Sequence, residues 1–184
     1  MSFHFSPMKA IQCVCWLLDK FPNKRHNYTC VLKLLYLADR ESMILARTPI
    51  TGDIPCALDK GPLLSHIYDL VKGDVDEETQ ALWSRYVETD GYDIRVVLDP
   101  GIGDLSEDEV EILDRIFQEH GQKSLGQLIN ETHLLPEWVE SYREGTSTKI
   151  HLQTLLRAIG HAQDYEEVSQ QKIEDAHFAK MFGD

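Results

Sequence analysis

The side chains that could do chemistry are scattered. Eight histidines stand at positions 4, 26, 66, 120, 133, 151, 161 and 177. No two of them form the His-Glu-x-x-His pair that would put two imidazoles on one helix face around zinc. The four cysteines are Cys13, Cys15, Cys30 and Cys56. Residues two apart on a helix are rotated by roughly 200°, so Cys13 and Cys15 cannot chelate one ion together, and Cys30 and Cys56 do not rebuild a zinc-ligand pattern. They read as small buried hydrophobes in a reducing compartment, with no metal and no disulfide. Gly101-Ile102-Gly103 between a strand pattern and a helix pattern imitates a dinucleotide loop. The third glycine position is Ser106, however, and Asp104, Glu107, Asp108 and Glu109 already occupy the positive helix end that a pyrophosphate would need. There is no nucleophile elbow and no Walker loop. These residues predict a protein that is not an enzyme and uses no cofactor.

The elements around these residues follow from helical punctuation. Ser6-Pro7 predicts a helix start, with Ser6 as N-cap and Pro7 at the first helical position, running to Lys20. A second helix is expected from Asn27 to Ala46. Val31, Leu32, Leu34, Leu35, Leu37, Ala38, Ile44 and Leu45 go nearly all the way round it, which places it centrally among other elements. An extended piece follows at Cys56–Leu58. Gly61-Pro62 is expected to open a helix that ends at Gly73. Residues 82–89 and 92–98, joined by Asp90-Gly91, read as a β-hairpin with Ile94, Val96 and Leu98 on its buried face. Ser106 and Glu109 form a capping box for a helix to His120. Shorter helices are expected at 124–131, 136–142 and 150–159, and an amphipathic one at 164–181. The fold class is therefore mainly α: one compact helical domain over residues 1–160 with a small β-hairpin, then a helical extension over 161–184.

Composition sets the class of partner. The 184 residues carry a net charge of −13. Residues 1–73 hold 9 Lys/Arg against 6 Asp/Glu, whereas 74–184 hold 9 against 25. So acidic a half repels a phosphate backbone, and nucleic acid is not an expected partner; a basic protein surface is one, and simple solubility explains the charge as well. Phe3–Leu18 is broken by His4, Ser6, Pro7, Lys9 and Gln12, unlike a signal peptide, and no apolar run is long enough to span a bilayer. A cytoplasmic location without membrane attachment is expected.

One stretch is much more specific. Lys33-Leu34-Leu35-Tyr36-Leu37-Ala38-Asp39-Arg40 is followed by Pro49-Ile50-Thr51-Gly52-Asp53, by Ala57, by Lys60-Gly61-Pro62-Leu63 and by Ile67-Tyr68-Asp69-Leu70. That order and spacing resembles the Panacea-domain family of SocA-like antitoxins. Leu128, Thr132-His133 and Trp138 resemble a later element of the family, and the likeness extends over about residues 8–160, with Leu63 standing where valine is usual. The resemblance implies a protein that neutralises a toxin by direct contact, the toxin being encoded by the adjacent gene. It also implies an occurrence on phages or mobile elements, and in some relatives a role as an adaptor that delivers the bound protein to the unfoldase of an AAA+ protease. The motif residues Tyr36, Asp39, Arg40, Asp53, Lys60, Gly61, Pro62, Tyr68, His133 and Trp138 are the candidates for partner binding. Backbone need alone accounts for Gly52-Asp53 and Gly61-Pro62. Tyr36, Tyr68 and Trp138 suit either a core or an interface. Asp39 and Arg40 suit an internal ion pair or an exit to the surface.

Overall fold

The computed structural model describes residues 3–163. The first helix, α1 (Pro7–Leu18), starts as its sequence requires: Ser6 accepts a hydrogen bond from Lys9 N, and Pro7 fills the first helical position. A short 3-10 turn at Pro22–Lys24 leads through strand β1 (Arg25–Asn27) into α2 (Tyr28–Ala46). Asn27 caps α2 by accepting from Thr29 N at 3.0 Å and Cys30 N at 3.4 Å. Residues 30–39 of α2 are all buried, so this helix is central, packed against α1, α5 (Glu107–His120), α6 (Leu125–Thr132) and the strand β3 (Gly61–Leu64). The capping box of α5 is formed in full by Ser106 and Glu109.

The fold is mainly α, with eight helices among the described residues, but its β content exceeds the single expected hairpin. One antiparallel sheet has the order β1-β5-β4, with β4 at Val87–Asp90 and β5 at Asp93–Val96. The other has the order β3-β2-β6, with β2 at Pro55–Leu58 and β6 at Thr148–Lys149. β1 and β6 are too short and too polar to carry a periodicity of their own.

Two expected boundaries move for physical reasons. Residues 82–86 belong to helix α4 (Glu77–Tyr86), because Asp76 caps it on Thr79 N at 2.9 Å and Trp83 anchors it in the core. The hairpin is therefore shorter, and its turn is Gly91-Tyr92, closed by the Asp90–Asp93 pair. Ile94 is buried as expected, Val96 is half-buried and Leu98 is exposed. Gly61-Pro62 does not open a helix; it begins β3, paired with Leu58 and Ala57. A proline fits there because β3 is an edge strand, where a missing N–H costs no ladder bond. Helix α3 (Ser65–Lys72) starts only afterwards and ends at Gly73, in the left-handed region as expected. The last helices are α7 (Pro136–Ser141) and α8 (Leu152–Ala158), and the expected helix over 164–181 lies outside the described residues.

Candidate functional site

Most of the motif residues gather into two polar clusters on α2 and one aromatic stack against β2. In the first cluster Asp39, buried on α2, accepts from Thr51 N at 3.0 Å and from the Thr51 hydroxyl. Thr51 Oγ1 in turn accepts from Asp53 N. Asp53, also buried, accepts from Ile54 N, from His66 N and Ile67 N at 3.0 Å each, and meets His66 Nδ1 at 2.8 Å. It thereby supplies the N-terminal cap that α3 lacks from its own sequence, since Leu64 in the cap position has no side-chain acceptor. Gly52 has φ +68°, and a Cβ there would stand 2.3 Å from His4 O, so only glycine lets the N-terminal segment close over the turn. Burial pushes the Asp39 carboxyl up to about 7 against the two Thr51 bonds that lower it, and the nearby Asp53 charge adds to the rise.

The second cluster joins α2 to α6 and α7. Glu137 Oε1 accepts from Tyr36 Oη at 2.9 Å and from Arg40 Nε at 2.7 Å. The Glu137 side chain is wholly buried, and its Oε2 has no hydrogen-bond partner among the described residues. Burial raises the Tyr36 phenol well above its usual range, and the Glu137 charge raises it further. Arg40 thus finds its partner across the fold on α7, while the adjacent Asp39 turns to Thr51. About two turns earlier on α2, Lys33 is 1% exposed. Its Nζ donates to Thr132 Oγ1 at 3.1 Å and, more weakly, to Pro62 O at 3.5 Å. Burial lowers the Lys33 ammonium to about 8. Gly61, at φ +95°, faces this amine: a Cβ there would stand 2.6 Å from Lys33 Nζ and 2.7 Å from Thr132 Oγ1.

The aromatic stack runs His133–Trp138–Tyr142, with ring centroids 4.0 and 4.5 Å apart. Trp138 is buried and donates from Nε1 to Leu58 O at 3.0 Å, which ties α7 to β2. Burial lowers the His133 imidazole, and the Lys33 charge lowers it further. Tyr68 is half-buried beside Tyr28, and Lys60 is exposed at the β2–β3 turn. Tyr36, Asp39, Asp53, Gly61, Pro62 and Trp138 are therefore interior, and Arg40, Tyr68 and His133 lie partly at the surface. Lys33, Thr132 and Glu137 complete the clusters although sequence reasoning did not single them out as candidates. A polar residue within an apolar helix was the available signal for Lys33, whereas Glu137 carried none. Beside the stack, the apolar side chains of Leu134 and Val139 are 80% and 60% exposed.

Two cavities flank α2. One, of about 290 Å³, is mostly apolar and lies among Tyr36, Arg40, Met43, Ile54, Ile150 and Leu155. The other, of about 380 Å³, opens between Tyr28, Tyr68 and the β2–β3 turn, with Lys33 in its wall. The four cysteines are free and buried, and burial pushes the Cys15 thiol up to about 12. Among the described residues no group of three or more His, Cys, Asp or Glu side chains is placed to hold a metal ion, and no helix is long and apolar enough to cross a membrane.

The family model described as antitoxin SocA-like, Panacea domain, matches residues 31–139. That span starts in α2 and ends in α7, and so contains both polar clusters and every motif residue named above. No curated protein and no solved structure matches the chain.

Proposed function

The chain belongs to the antitoxin SocA-like, Panacea-domain family, and on that premise we propose that it neutralises a protein toxin, encoded by the neighbouring gene, by binding it directly and without catalysis or cofactor in the cytoplasm. Family membership is the observation that carries this reading. The placement of the motif residues supports it in one respect: most of them build the interior, so the family motif describes a scaffold on which surface residues can vary with the partner.

We propose the α6–α7 corner as the contact surface. Leu134 and Val139 project there from a corner held rigid by the Trp138–Leu58 bond and by Glu137. Apolar side chains beside a packed aromatic stack, rimmed by polar residues, are what a protein interface core requires. Co-expression with the neighbouring gene tests the proposal. The expected result is a neighbour that arrests growth alone, loses that effect with this chain, and co-purifies with it. A harmless neighbour, or rescue without a complex, would overturn it. Rescue that disappears in a strain lacking an AAA+ protease would replace it with the adaptor reading.

A further inference from the structure

Lys33 is a buried cation without a counter-ion among the described residues. Its two acceptors are a hydroxyl and a carbonyl, both neutral, and the carbonyl is at the limit of hydrogen-bond distance. Thr132 cannot offer more, because its own proton goes to Leu128 O at 2.8 Å. An ammonium has three protons to donate. Buried charges are ordinarily paired, since leaving one unpaired costs the full loss of hydration. Arg40, about two turns further along α2, shows that pairing with Glu137 of α7.

The cavity beside Lys33 has the lining such a cation would need from a ligand site. Gly61 has no Cβ, so its backbone packs directly against Nζ, where a Cβ would stand 2.6 Å away. Thr29, Thr146 and Ser147 add hydroxyls, Lys60 adds a second positive charge, and Tyr28 and Tyr68 form flat walls. Among the described residues Asp59 is the one carboxylate in that lining, and its Oδ1 is engaged by Tyr142 Oη and Gly145 N at 3.0 Å each. The other cavity differs: Asp39, Asp53 and Arg40 in its wall already have charged or amide partners.

We infer that this cavity is a carboxylate pocket, in which Lys33 receives an acidic side chain of the partner protein. This rests on the reading of the chain as a toxin-binding protein and names one chemical requirement of the toxin: an Asp or Glu projecting from its contact surface. About 380 Å³ holds one such side chain with its flanking backbone, and not a folded element. Specificity follows from charge, since a neutral amide in the same place cannot compensate the ammonium.

The test uses the intact chain without toxin. Acetyl-glutamate N-methylamide is titrated while the ε-methylene NMR signals of Lys33 are followed, these being assigned by their loss in Lys33→Met. The neutral acetyl-glutamine N-methylamide and the terminal carboxylate of acetyl-alanine are the two comparison probes. Saturable shifts of the Lys33 signals are expected with the glutamate probe, with binding weaker by more than about tenfold for the glutamine probe. Lys33→Met replaces a buried unpaired charge by an apolar chain of similar length, so its melting temperature should equal or exceed the wild type while probe binding disappears. Absence of any shift at Lys33, equal binding of the amide, or preference for the terminal carboxylate would each overturn the inference. Failure of the toxin reading is separable: a chain that binds the glutamate probe but rescues no toxin keeps the pocket and loses the partner. A chain that rescues while Lys33 ignores the probe keeps the partner and leaves Lys33 a structural tie between α2 and α6.

Discussion

The Pro49–Asp53 turn and the α6–α7 corner both bring a carboxylate out of water and against α2, and they treat it differently. Asp53 uses both oxygens, with Oδ1 serving two backbone amides and the His66 ring, and Oδ2 serving Ile67 N. Among the described residues Glu137 uses one oxygen for two side chains and leaves the other unpartnered. His133 Nε2 is also buried without a partner among the described residues, and Leu134 and Val139 are exposed. A buried polar group that is fully bonded specifies structure, because any departure from its geometry costs several bonds at once. One that is partly bonded holds elements together and retains capacity for something else. The turn is the closed half of this scaffold, and the corner is the open half.

The largest effect should come from breaking the closed half. Asp53→Ala removes the cap of α3 and leaves buried amides without an acceptor, so a loss of about 4 kcal/mol is expected in chemical denaturation. A loss below about 1 kcal/mol would mean that water reaches these amides and that the turn is not closed.

Asp39 tests the same region through pH. Its folded-state carboxyl titrates near 7, above the ordinary value of 3.8. Between these values the unfolded chain has released the proton that the native one keeps, so the stability from Asp39 is complete below about pH 4 and is lost as pH rises through 7. Asp39→Asn keeps an acceptor for Thr51 N and should flatten the stability profile over that interval by on the order of 4 kcal/mol. An unchanged slope would refute the assignment.

Glu137→Gln probes the interior of the open half. The remaining oxygen still serves Tyr36, the Arg40 pairing loses its charge, and relief from burying a carboxylate offsets part of that. A net change of about 1 kcal/mol in thermal or chemical unfolding is expected, well below that of Asp53→Ala. If the two were equal, the contrast between closed and open halves would fail.

The smallest effect on stability belongs to the corner's surface. Leu134→Glu and Val139→Glu alter exposed positions and should change stability by less than about 0.5 kcal/mol. Charges placed in an apolar interface core should nevertheless abolish toxin rescue, at a cost of about 2 kcal/mol or more in binding. Retained rescue in the double variant would place the contact surface elsewhere.

What could be read from the chain by itself is what neighbours in sequence decide. Ser6 and Pro7 start α1, Asn27 caps α2, Ser106 and Glu109 close their box, and Gly73 ends α3, each through contacts within four residues. The all-round apolar character of α2 announced its central place, and the spacing of the family residues identified the scaffold. Local signals failed where the deciding partner is remote. Gly61-Pro62 looked like a helix start because nothing nearby shows that β2 will pair with it, or that the cap of α3 comes from Asp53, thirteen residues before His66. Asp39 and Arg40, adjacent on α2, part company because one meets a turn twelve residues away and the other a helix ninety-seven residues away. The pocket at Lys33 needed β3, α6 and the segment at Gly145–Ser147 to close around one amine. A side chain's type sets what it demands, but burial and the groups that arrive around it decide whether the demand is met inside the chain or left for a partner.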